Sequence, residues 1–134
     1  MQKTIVDVGL HIVVTDEDID DIMVSALEGG IDYWCKKAMV IGPYLGEYAS
    51  KQISRDGILV MYEREEDNRY FLTRAKFIDG LKMYIASGNF RCVEKEIDDS
   101  NLYTGRLLLD PGEIDASAAD SIIQLALFGE IKFA

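Results

Sequence analysis

Residues 31–57 read IDYWCKKAMVIGPYLGEYASKQISRDG, and the spacing of their apolar residues sets how much of the fold is helical. In its first half Ile31, Trp34, Cys35, Ala38 and Met39 fall at i, i+3, i+4, i+7 and i+8, the spacing of one buried helix face. After Gly42-Pro43 the same spacing returns with Leu45, Tyr48, Ala49, Gln52 and Ile53. The pattern predicts two amphipathic helices, parted by Gly42-Pro43 and stopped by Gly57.

Towards the N-terminus, residues Thr4 to Val14 predict a strand, with Val6, Val8, Leu10, Ile12 and Val14 on one face and His11 on the other. Thr15 is placed to cap a helix whose first turn is Asp16, Glu17 and Asp18, where the helix dipole favours acids. Its stripe is Ile19, Ile22, Met23, Ala26 and Leu27, and Gly29-Gly30 ends it. Towards the C-terminus, Ile58–Glu63 and Arg69–Thr73 predict a hairpin around the polar loop 64–68. Thr73 then caps a helix from Arg74 to about Ala86, burying Phe77, Leu81, Tyr84 and Ile85. Gly80 weakens that helix by about 1 kcal/mol relative to Ala. Between residues 89 and 113 the pattern allows short strands at Phe90–Val93 and Arg106–Leu109, with a turn at Asp98–Asn101. Asp115 caps a last helix with the stripe Ala119, Ile122, Ile123, Ala126 and Leu127; Gly129 stops it, and Glu130–Phe133 reads as a short final strand.

Together these elements predict one α+β domain, a small mainly antiparallel sheet packed with about five amphipathic helices. Ile22, Met23, Trp34, Tyr48, Ile122, Ile123 and Leu127 should lie in its core. A length of 134 residues is enough to close one core without staples. The N-terminus has neither a small-residue cleavage site nor a spanning run, so a cytoplasmic protein with no membrane partner is expected. Cys35 and Cys92 lack zinc or redox spacing and read as buried thiols.

The net charge of −10 is unevenly spread. Residues 1–34 carry eight acids and one base, residues 94–134 nine acids and three bases, and residues 35–93 seven acids and ten bases. Acidic ends argue against general nucleic-acid binding, which needs a clustered basic footprint. A local anion site in the middle is compatible with the layout.

Chemistry is sparse. There is a single histidine, His11, and no phosphate-binding glycine loop. The acid pairs Asp16/Asp20, Asp98/Asp99 and Glu65/Glu66 fall at helix starts and turns, where they already have a structural role. No catalytic residue, metal or cofactor is therefore expected. On the helical reading, Tyr33, Lys36 and Lys37 are surface neighbours, and Lys51 and Arg55 line the next helix one turn apart. An antiparallel pairing of the two helices would converge them on a phosphate-bearing small ligand, with Tyr33 stacking on a ring. The plainer alternative is solvated lysines and a Glu47–Lys51 surface pair. Seven acids cluster in residues 16–32, and Asp16, Glu17, Asp20 and Asp21 form a candidate partner surface.

The stretches DIDDIMVSALEGGIDYWCKKA, YLGEYASKQISRDG and ASAADSIIQLALFGEIKF resemble, in order and over most of the chain, a group of small acidic proteins encoded in phages and mobile elements of gut-type bacteria. The resemblance supplies no catalytic residues. It implies a non-catalytic binding or inhibitor protein whose partner is a host protein or a small anionic ligand. An acidic nucleic-acid mimic that blocks a host nuclease is the alternative, and a small enzyme comes third. Asp20, Ile22, Ala26, Leu27, Gly29 and Ile31 also recur at an offset of one hundred residues, as two amphipathic helices closed by glycine would produce without any repeat.

Overall fold

The computed structural model describes Thr4 and residues 9–134. Of the strand expected over Thr4–Val14, residues 5–8, and with them Val6 and Val8, lie outside the described residues; what is described is the short β1 (Ile12–Val13). Thr15 then opens α1 (Asp16–Ser25) with a capping box. Its hydroxyl accepts from Asp18 N at 3.1 Å, and Asp18 Oδ2 accepts from Thr15 N at 2.9 Å. Two backbone donors at the helix start are thereby satisfied. Ile19, Ile22 and Met23 are buried, and the helix runs into one wide turn at Ala26–Gly30.

From there the chain departs from the helical pattern. Residues 31–34 form a turn in which Trp34 N and Cys35 N both donate to Ile31 O, and β2 (Cys35–Ile41) follows. β2 pairs antiparallel with β3 (Ile58–Glu63), which pairs antiparallel with β4 (Arg69–Leu72). The run Ala38-Met39-Val40-Ile41 suits either period, and hydrogen bonding to β3, which no local spacing reports, makes it a strand.

Residues 42–57 contain no α-helix either, only a tight turn at Ala49–Lys51. The segment is organised around the buried amide of Gln52, which accepts from Leu45 N at 3.0 Å and donates to Pro43 O at 3.3 Å. A side chain thus takes backbone partners that a helix would have satisfied internally. Gly57 lies flat on that amide, since a Cβ there would come within 2.5 Å of it. Tyr48, expected in the core, is 59% exposed.

The rest follows the expected order. Thr73 caps α2 (Arg74–Ala86), its hydroxyl accepting from Lys76 N at 3.3 Å. β5 (Val93–Ile97) begins where the expected strand Phe90–Val93 ends, and pairs antiparallel with β6 (Tyr103–Leu109) across the turn at Asp98–Asn101. β1 joins the other side of β6 in parallel, Ile12 opposite Leu107. Asp115 caps α3 (Ala116–Phe128) by accepting from Ala118 N at 2.8 Å, and Gly129 ends it in the left-handed region at φ +70. Residues 130–134 follow without regular structure, in place of the expected final strand.

The fold is α+β, with three α-helices among the described residues rather than about five, and with two small, mostly antiparallel sheets, β1-β6-β5 and β2-β3-β4. Ile19, Ile22, Met23, Trp34, Leu59, Met61, Phe77, Ile122 and Ile123 form the core, with Leu127 partly buried against it. Cys35 and Cys92 are buried free thiols, and burial raises the pKa of each. No helix among the described residues is long and apolar enough to cross a membrane.

Candidate protein-interaction surface

Side chains of β2, β3 and β4 alternate between two faces. Leu59, Met61 and Leu72 point into the core, with Ala38, Val40 and Tyr70 packed against it. On the outward face the register sets Met39 opposite Val60 and Val60 opposite Phe71, with Ile41 opposite Ile58 in the next row. Met39 is 46% and Phe71 42% exposed, Ile41 and Ile58 are exposed as well, and Val60 is sheltered between its neighbours. The outer face of a half-buried antiparallel sheet is ordinarily polar. Here it is a contiguous apolar patch, which is more informative than scattered exposed side chains.

A row of different character bounds the patch: Lys37 opposite Tyr62 opposite Arg69. Lys37 Nζ lies 4.7 Å from the Tyr62 ring centre, and the Arg69 guanidinium 5.8 Å from that of Phe71. Both are within cation–π range, so the two cations are held at the edge of the apolar surface. β2 is an edge strand of its sheet, so the patch extends to the sheet margin.

Because β2 is a strand with a bulge between Cys35 and Lys37, Tyr33, Lys36 and Lys37 are not the helical neighbours that the spacing suggests. Lys37 belongs to the sheet face, and Lys36 sits exposed in the bulge. The Tyr33 hydroxyl donates to Asp120 Oδ2 at 2.6 Å. Burial, with the bonded Asp120 carboxylate adding to it, pushes the Tyr33 pKa up to about 12. Arg55 reaches Lys51 O at 3.2 Å and Asp20 Oδ2 at 3.7 Å. Asp20 also accepts from Ser54 Oγ at 2.6 Å, and Asp16 pairs with Arg74 at 3.6 Å. Two of the four candidate surface acids are thus engaged within the chain, while Glu17 and Asp21 are exposed.

Sequence reasoning missed a buried polar cluster on α3. Asp120 accepts from Trp34 Nε1 at 2.8 Å and from Tyr33, and Gln124 Nε2 lies 3.0 Å from the same carboxylate. Gln124, fully buried, also holds the segment after α3: its Oε1 accepts from Lys132 N at 2.8 Å and Phe133 N at 2.7 Å. The available signal was a polar i, i+4 pair, Asp120 and Gln124, adjoining the stripe residues Ala119 and Ile123. Elsewhere, a cleft of about 450 Å³ is lined by Tyr84, Asn89, Arg91, Cys92, Glu113 and Asp115. The raised pKa of Cys92 makes its thiol a poor nucleophile. Among the described residues no group of three His, Cys, Asp or Glu side chains is placed to hold a metal ion. No family model, curated protein or solved structure matches the chain.

Proposed function

We propose that this protein works by binding another protein, with the outer face of the β2–β3–β4 sheet as its contact surface, and that it catalyses no reaction. The observation that carries this reading is the exposed apolar patch of Met39, Ile41, Ile58 and Phe71 around Val60. Lys37 and Arg69 at its margin favour a partner whose apolar strip is flanked by carboxylates. Three strands about 4.8 Å apart and a few residues long present roughly 300 Å². A stable interface buries about 800 Å² per partner, so the patch forms the apolar centre of a larger contact. The resemblance to phage accessory proteins favours a host protein as that partner. The small-anion reading has less support, since Tyr33, Lys36 and Lys37 lose their helical adjacency and the Tyr33 hydroxyl is bonded to Asp120.

The test starts with Met39→Ser/Phe71→Ser, both outward-facing and therefore compatible with native stability. Wild type and variant are compared for capture from a host lysate, and the captured partner is then purified and titrated by calorimetry. Loss of two anchoring side chains should weaken binding by about tenfold or more. Lys37→Ala/Arg69→Ala should reduce the salt dependence of the same complex. Unchanged binding by the sheet variant, with binding lost on neutralising Asp16, Glu17, Asp20 and Asp21, would reject the sheet face and move the contact to α1.

A further inference from the structure

Residues 130–134 are largely exposed and have no regular structure, yet Lys132 and Phe133 sit in a well-built site. Gln124 reads their backbone: Oε1 accepts from both amides, and Nε2 donates to Phe133 O at 3.1 Å. Those three bonds carry no side-chain selectivity and are how an extended peptide is recognised. Selectivity lies on either side. The Phe133 ring stacks on Trp34 with centres 5.0 Å apart and planes 5° apart, and meets the edge of Phe128 at 5.8 Å. The Lys132 ammonium donates to Tyr70 Oη at 2.9 Å and lies 3.8 Å from Glu63 Oε1. It also sits 5.1 Å from the ring centres of Tyr70 and Phe128. This is an aromatic cage with a carboxylate at its back, the arrangement that holds cations.

Two contacts that do not involve residues 130–134 orient the receiving side chains: Trp34 Nε1 donates to Asp120, and Tyr70 donates to Glu63 Oε1 at 2.6 Å. With the segment in place Trp34, Glu63, Asp120 and Gln124 are all more than nine-tenths buried. Departure of the segment strips Gln124 of three backbone partners, which an incoming extended peptide can replace in kind. The segment is tethered through Gly129, whose left-handed conformation turns the chain back along α3.

We propose that this cleft between Trp34, Tyr70 and α3 is a peptide-binding site for an extended Lys–aromatic pair of a partner protein, and that residues 132–133 are its resident occupant, displaced when the partner binds. The site does not depend on the sheet-face reading. Trp34 is the sole tryptophan, so its emission reports this site in the intact chain. The probe is the blocked tetrapeptide Ile-Lys-Phe-Ala, titrated into wild type and into Phe133→Ala, which weakens the resident segment and leaves the cleft intact. A short tether gives the resident segment a millimolar effective concentration. Phe133→Ala should accordingly bind the probe at least about tenfold more tightly than wild type does, with the emission shifting back to the blue. Probes with Glu for Lys or Ser for Phe should not bind. Lys132→Ala is the second host, should Phe133→Ala fail to give a cooperative unfolding transition. No saturable change in either folded variant at several millimolar probe, or equal responses to all three probes, would overturn the proposal. Concentration-dependent dimerisation abolished by Phe133→Ala would assign the cleft to a second copy and overturn it as well.

Discussion

Replacing Gly80 with alanine sets two forces of opposite sign against each other. In an isolated helix the change stabilises by about 1 kcal/mol, because glycine has more backbone freedom to lose. In this fold Gly80 is where α2 meets α3, and an added Cβ would lie 2.6 Å from Ile122 O and Ala126 N and 2.7 Å from Ala126 Cβ. Carbon contacts settle at about 3.5–4.0 Å, so α2 must withdraw by roughly 1 Å. The atoms in the way are mostly backbone and cannot swing aside, so the withdrawal loosens Phe77 and Leu81 against Ile122 and Ile123, all core residues. Overpacking of this kind costs about 1–3 kcal/mol. Packing therefore offsets or outweighs propensity, and a net destabilisation of up to about 2 kcal/mol is expected. Urea unfolding followed by Trp34 emission should show a lower midpoint with an unchanged slope. Adding Ala126→Gly should restore only part of the loss, because Ile122 O and Ala126 N remain. A Gly80→Ala chain more stable than wild type would refute the close crossing of α2 and α3.

Other perturbations probe the remaining contacts. Trp34→Ala empties a core site and removes a donor from Asp120, and should cost about 3–5 kcal/mol in urea unfolding followed by circular dichroism. Ser54→Ala leaves the largely buried Asp20 carboxylate short of a donor and should cost about 1–2 kcal/mol; Arg55→Ala, on a more exposed pair, should cost less. The Tyr33 pKa is raised from its ordinary 10.0 to about 12, so the fold favours the protonated hydroxyl. Stability from this group is intact below pH 10 and is lost as pH rises towards 12, and Tyr33→Phe should flatten that decline in alkaline melting curves. Cys35 and Cys92 should react with a thiol reagent only at the rate of unfolding; fast labelling of the native chain would contradict their burial.

Element ends were legible where local chemistry sets them. Thr15, Thr73 and Asp115 each cap a helix through a side chain, and Gly129 closes one, all local devices readable from the chain. Local spacing misleads between Ile31 and Ile53, where partners beyond one helical turn decide. Ala38 to Ile41 fits a helical stripe, but β3 claims it, and Gln52 fits the next stripe, yet its amide bonds Leu45 and Pro43 instead. The errors reached the site, because Tyr33, Lys36 and Lys37 are neighbours only on a helix. The sheet face was legible in part, since Lys37, Met39 and Ile41 alternate, but only the β3 register shows that Val60 and Phe71 complete it. Asp120 and Gln124 are hidden among the apolar residues of a helix whose stripe residues Ala119, Ile122 and Ile123 are buried as expected, while Ala126, Leu127 and the rest of its C-terminal end are only partly so.

The parallel pairing of Ile12 with Leu107 bears on the order in which the chain folds. Most of the chain lies between those residues and must be collected before they can meet, whereas β5 and β6 meet across a tight turn. Closing so long a loop carries an entropic penalty that only an already assembled surface can offset. β1 therefore docks late although it is synthesised early, and its pairing should be absent from the folding transition state. Ile12→Ala should accordingly speed unfolding and leave the refolding rate nearly unchanged.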